Sequence, residues 1–104
     1  MIATKICGIT NDPDAKLAIS MGASALGFIF YKKSPRYIDI KSAKMITRNN
    51  INSKFIGVFV DEDNEYIKKV IEDVKLHVVV VIGVDVIDVL ILVVDVAVVV
   101  VVVV

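Results

Sequence analysis

The sequence holds one cysteine, one histidine, two prolines and no tryptophan. A single cysteine closes no internal disulfide. One cysteine and one histidine fall short of the ligand sets that hold zinc, so no metal is expected. Both scarcities suit a reducing compartment, and a cytoplasmic location is expected. Net charge is also missing, because 12 Lys and Arg balance 12 Asp and Glu. That removes the basic footprint of a nucleic-acid binder and the pull toward anionic membranes, so neither is an expected partner. The opening segment MIATKICGIT has no basic stretch leading into a long apolar core, so no secretory leader is expected.

Polar residues are missing from one region in particular. The 104 residues fit one small domain. The apolar fraction is 57%, against about 45–50% in ordinary chains. The excess lies in residues 78–104, where 17 of 27 residues are Val and none is Lys, Arg, Ser, Thr, Asn or Glu. The preceding 77 residues contain four Val. A membrane span is disfavoured by Asp85, Asp88 and Asp95 and by the lack of flanking Lys, Arg, Trp or Tyr. A genuine strand of this composition would be a severe aggregation hazard. We read 78–104 as an anomalous tail of misassigned or placeholder sequence, attached to one partial domain spanning 1–104. A mass spectrum of the purified chain that matched this composition would refute that reading.

Residues 1–77 alternate short apolar runs with amphipathic stretches. Strands are expected over 2–9, 24–31 and 55–60, with a fourth from 77 to 82. The first helix is expected after Asp12, as cap, and Pro13, with Gly22 closing it. A second helix is expected over 40–49. A third, capped by Asp63 or Asn64, carries Tyr66, Ile67, Val70, Ile71 and Val74 at helical spacing. Strand and helix alternate every 25–30 residues or so, as parallel βα units do. Near-uniformly apolar strands mean a sheet covered by helices. An open doubly wound sheet and a β/α barrel both fit. The first βα turn reads CGITNDPD, without G-x-G-x-x-G, so a dinucleotide site is disfavoured.

In either architecture the reactive end is the carboxyl end of the strands. That filter selects Cys7, Gly8 and Thr10, then Lys32, Lys33, Ser34 and Arg36, then Asp61, Glu62 and Asp63. Cys7 fits two roles. Free cysteine is often a small core hydrophobe. At a strand end beside glycine, with cations on the next loop, it also suits the reactive thiolate form. Arg36 is either a solvated loop arginine or a planar clamp for a carboxylate, stiffened by Pro35. His77 lies at an amino end and is expected to be structural. The acids at 61–63 are expected to open a helix, where negative charge meets the positive dipole end.

Three stretches in order, KICGIT, GASALGFIFYKKSPRYI and FIGVFVDE, carry a family resemblance over about residues 4–77. The chain resembles the phosphoribosylanthranilate isomerases of tryptophan biosynthesis, which are (β/α)8 barrels. The resemblance, not the periodicity, selects the barrel. It implies an aldose-to-ketose (Amadori) isomerisation of N-(5′-phosphoribosyl)anthranilate to 1-(2-carboxyphenylamino)-1-deoxyribulose 5-phosphate, without cofactor or metal. It implies that Cys7 is the general base and that Arg36 binds the anthranilate carboxylate.

The resemblance also has gaps. Where the family reads QLHG after strand 4, this chain reads Val80, Val81, Ile82 and Gly83, as placeholder assignment would produce. The family's barrel has roughly 200 residues. This chain supplies about four βα units and a candidate fifth strand. The resemblance places the general acid and the phosphate loops beyond residue 104. The expectation is a half barrel with the base and the clamp but no acid. Taken literally, 104 residues would be inactive, with two sheet edges open to another copy. The alternatives are a non-catalytic half-barrel module acting by association, or another phosphosugar-binding β/α barrel.

Overall fold

The computed structural model describes residues 3–82, 89–93 and 99–102 of the chain. In chain order these form β1 (Ala3–Cys7), α1 (Asp12–Ser20), β2 (Ala25–Ile29), α2 (Ile40–Asn49), β3 (Lys54–Val60), α3 (Asn64–Val74), β4 (Val78–Ile82), β5 (Val89–Val93) and β6 (Val99–Val102).

The sheet order is β5-β4-β3-β2-β1-β6. Strands β1 to β4 are parallel and follow one another without reversal. Crossovers between parallel strands are right-handed, so a monotonic order puts α1, α2 and α3 on one face. A doubly wound sheet reverses its strand order to place helices on both faces. No such switch point occurs among β1–β4, and the topology itself therefore favours barrel over open sheet. The fourth unit contributes its strand. The next described element is β5, antiparallel to β4, where a further parallel βα unit would otherwise continue. Strand β6 pairs in parallel with β1. Strands β5 and β6 thus extend the sheet beyond β4 and β1, and the two edges of the described sheet are β5 and β6.

The two faces differ in kind. The helix-facing side buries Leu26, Phe28, Phe30, Phe55, Phe59 and Val79 against Ala15, Ala18, Ala43, Ile46, Ile67, Val70 and Val74. The opposite face is the interior of a barrel and carries the small cluster Ala25, Ile56 and Val78, with Val80 packed on it. In parallel register, Cys7 aligns with Gly27, Gly27 with Ile56 and Ile56 with Val78, so these four form one row across that inner face. Lys5 aligns with Ala25 in the row nearer the amino ends.

Caps set the helix ends. Helix α1 is capped by Asn11, not by Asp12 as expected. The Asn11 side chain accepts from the Asp14 N–H at 2.9 Å, and Asp12 is already helical. Gly22 closes the helix at φ +94°. Its N–H donates to the Ile19 carbonyl and the Ala23 N–H to the Ala18 carbonyl, the paired bonds of a Schellman end. Asp63 caps α3, as expected, accepting from Tyr66 N–H at 2.8 Å.

Asp39 caps α2, accepting from the Ser42 N–H at 2.7 Å. That backbone hydrogen bond, helped by the Ser42 side chain, holds the Asp39 carboxyl below its ordinary value of 3.8. A carboxyl depressed in the folded state stabilises above its unfolded pKa and loses that contribution as pH falls through the folded one. Asp39→Asn keeps an amide oxygen for the cap but does not titrate. Between about pH 4 and lower values the thermal midpoint of the wild type is expected to fall more steeply than that of D39N, which a melting series across acid pH checks.

Asn50 ties the two helices nearest the β1 loop. Its amide donates to Asp12 Oδ1 at 2.9 Å and to the Ile46 carbonyl at 2.8 Å, and its oxygen accepts from Lys16 Nζ at 3.1 Å. It is 9% exposed. Asn50→Ala removes all three bonds and leaves Asp12 and Lys16 with the ion pair they share at 3.7 Å. It is expected to cost about 1–3 kcal/mol, read as a lower urea midpoint at unchanged slope.

Candidate active site at the carboxyl ends of β1 and β2

The end of β1 is built by its neighbour. Gly8 and Ile9 both donate their N–H groups to the Gly27 carbonyl, at 3.1 and 3.0 Å. The backbone then turns through Gly8 at φ +86°, a conformation that a side chain at this position would strain. This turn leaves Cys7, half-buried, at the rim of the inner face.

The loop after β2 folds back over that rim. Ser34 N–H donates to the Tyr31 carbonyl and Tyr37 N–H to the Ser34 carbonyl. The Ser34 hydroxyl accepts from Arg36 N–H at 3.2 Å. Tyr37 then bridges back to Ile29, with Ile38 N–H on the Ile29 carbonyl at 3.1 Å. These bonds lay the Arg36 side chain across Gly8. A methyl group built on Gly8 would stand 2.6 Å from Arg36 Cδ and 3.2 Å from Nη1. Glycine at 8 therefore serves both the turn and the approach of the guanidinium.

Cys7, Gly8, Thr10, Pro35 and Arg36 line the carboxyl-end mouth of one cavity of ≈ 570 Å³, which runs between β1 and α1 on the helix-facing side, past Ile6, Leu17 and Ala18, to Thr4, Met21 and Ala23 near the amino ends. Of the residues selected by strand polarity, the structure brings Cys7 and Arg36 together. Lys32 and Lys33 are exposed and do not line it. Asp63 is the α3 cap. No group of three His, Cys, Asp or Glu side chains that could hold a metal occurs among the described residues. His77 sits at the far end of the sheet. Its Nδ1 accepts from the Phe55 N–H at 3.0 Å, and its own N–H donates to the Phe55 carbonyl at 2.8 Å. That is a structural role.

Sequence reasoning missed Lys5, whose side chain is 2% exposed. It lies two residues before Cys7 in a strand, and strand alternation puts both on one face. Gly27 makes room for the pair. A methyl group on Gly27 would stand 2.7 Å from Lys5 Cε and 3.1 Å from both Cys7 Cα and Sγ. The spacing of two was a readable signal, but nothing in the sequence showed that Gly27 would face both residues.

Four parallel strands wound in one direction with their helices on one side are the arrangement of a β/α-barrel protein. No described helix is long and apolar enough to cross a membrane. The family model of N-(5′-phosphoribosyl)anthranilate (PRA) isomerase matches residues 4–104, and the chain belongs to that family. The N-(5′-phosphoribosyl)anthranilate isomerase of Thermotoga maritima is 43% identical over 89 residues, covering 85% of this chain and 43% of that one. The Nitratiruptor enzyme of the same name is 53% identical over 60 residues, 57% of this chain and 31% of that one. Among solved structures, a phosphoribosylanthranilate isomerase in complex with reduced 1-(o-carboxyphenylamino)-1-deoxyribulose 5-phosphate superposes with a TM-score of 0.76 at 43% identity, over 80% of this chain and 43% of that one. The chain spans less than half the length of these relatives.

Proposed function

We propose that this chain is the amino-terminal half of a cytoplasmic N-(5′-phosphoribosyl)anthranilate isomerase of tryptophan biosynthesis, with Cys7 as general base and Arg36 as the carboxylate clamp. The observation that carries the reading is that Arg36 lies across Gly8, the residue after Cys7, and that both Cys7 and Arg36 line the same end of one cavity. Arginine's planar fork fits the carboxylate of an anthranilate ring bidentately. A substrate held that way presents its sugar toward the β1 rim, which lowers the orientational cost of the proton transfer.

The step assigned to Cys7 balances on one proton. After the ribose ring opens to a protonated Schiff base, the thiolate takes the C2 proton. An S–H bond forms, a C–H bond breaks, and the electron pair moves onto the iminium nitrogen through the new C1–C2 double bond. The resulting enol tautomerises to the ketose. No metal or redox cofactor takes part. The acid that protonates the ring oxygen and the groups that hold the phosphate belong to the missing strands. On this reading residues 1–104 taken alone are inactive.

Joining residues 1–82 to the remaining strands of the Thermotoga maritima relative tests the reading. The joined barrel is expected to turn over N-(5′-phosphoribosyl)anthranilate, and the 104-residue chain alone is not. A joined barrel that folds without turnover overturns the proposal. Turnover by the chain alone at the level of a full-length enzyme overturns the need for the missing half.

A further inference from the structure

The inner faces of β1 to β4 carry Lys5, Cys7, Ala25, Gly27, Ile29, Lys54, Ile56, Val58, Val60, Val78, Val80 and Ile82 by register. No carboxylate is among them. Lys54 sits at the exposed amino edge, whereas Lys5 is among the largest fully buried side chains. A lysine side chain held at 2% exposure on a face without carboxylates keeps its charge in a poorly hydrated place, which favours a nearby group able to supply the opposite charge. Among the described residues of this face, the only side chain able to become an anion is Cys7.

The geometry puts the two within reach. Lys5 starts one row below Cys7, yet its Cε rises to Gly27, in the row of the thiol. The separations from the Gly27 methyl position, 2.7 Å to Lys5 Cε and 3.1 Å to Cys7 Sγ, bound the distance between those two atoms by their sum. The ammonium lies one bond beyond Cε, so its charge stands in the neighbourhood of the thiol without a direct hydrogen bond to it. The other ionisable groups lining the same cavity as Cys7 are Arg36 from the loop after β2 and Asp14 from α1. Strands β2 and β3 add only apolar residues there, and β6 is valine throughout.

We propose that Lys5 is a positioning residue whose buried ammonium is the counter-charge of the Cys7 thiolate, held there because Gly27 has no side chain. Lys5 does not touch substrate, which approaches from the rim. It acts from beneath, whereas Arg36 lies over Gly8 on the other side of the thiol's strand end. The catalytic meaning rests on Cys7 being the base, but the contact itself does not.

Cys7 is the sole thiol, so its alkylation by iodoacetamide reads the contact without any isomerase turnover. Lys5→Met keeps the chain length and removes a buried charge, a change that cores tolerate. K5M, with Lys5→Gln as a second neutral variant, is expected to slow alkylation by roughly ten- to a hundredfold at about pH 7. The rates should converge with wild type at about pH 10, where any thiol is ionised. Equal rates at neutral pH in either folded variant overturn the proposal. In the wild-type chain the 13C resonance of Lys5 Cε is expected to move as the thiol ionises and to stop moving once Cys7 is capped. A resonance indifferent to the state of Cys7 overturns it equally. Slowed alkylation together with a joined barrel that lacks turnover would keep the Lys5 contact and sink the isomerase reading alone.

Discussion

In the joined barrel, Cys7→Ala is expected to lower turnover by about 10²–10⁴-fold while leaving thermal unfolding nearly unchanged. Two observations set this apart from a packing effect. Cys7 is half-buried at a rim, so trimming one sulfur opens no closed cavity. The backbone around it is held independently by the two N–H bonds from Gly8 and Ile9 to Gly27, and the mutation touches neither. Cys7→Ser separates size from chemistry. The hydroxyl fits the same space but is a far poorer anion at neutral pH, so as a base it should fail almost as completely as alanine. A core thiol gives the opposite pattern, with turnover kept and the unfolding midpoint lowered. Steady-state turnover and urea melts on the same two variants decide between the patterns.

The sequence was informative where one residue type answers to one local cause. Asp63 and Gly22 are where capping chemistry puts them, and α2 covers the expected 40–49 span. Asn11 displaced Asp12 as the first cap because asparagine one position earlier can reach the same N–H groups, and position in the helix is not written in residue type. Strand polarity was enough to bring Cys7 and Arg36 to one end of the sheet. Placing Arg36 over Gly8 took a chain of turns through Ser34 and Tyr37, none with a distinctive signature. Lys5 was hidden for a different reason. A lysine inside an apolar strand reads as a solvent-facing alternation, and only register against Gly27 shows it buried. The antiparallel return of β5 was not legible, since a valine run specifies pairing without specifying direction or partner.

Phe28→Ala is expected to destabilise the chain by about 3–5 kcal/mol, a large share of the roughly 5–15 kcal/mol that holds a domain together. Phe28 is 0% exposed and sits in a row of rings across the helix-facing side. Its centroid lies 5.8 Å from Phe55 and 6.2 Å from Phe30, and Phe30 in turn stacks on Phe59 at 5.2 Å. The cost should fall at the upper end of the range because the site cannot collapse. Directly across the ladder stands Gly57, which has no side chain to move into the space. A methyl group on Gly57 would already meet Leu76, Phe59 and Phe30 at 2.6, 3.1 and 3.3 Å, so the surrounding rings are in contact with one another and held in place. Phe28→Leu, which keeps most of the volume, is expected to lose roughly 1–2 kcal/mol. Urea titrations of both variants read these differences as midpoint shifts at constant slope. A loss below about 1 kcal/mol for F28A would mean that the rings close over the gap. The consequence reaches the site through one peptide bond: Gly27, the neighbour of Phe28, makes room for Lys5 beside the thiol and anchors the β1 turn. Movement of β2 in F28A should therefore alter Cys7 alkylation before the chain unfolds, whereas F28L should leave it as in the wild type.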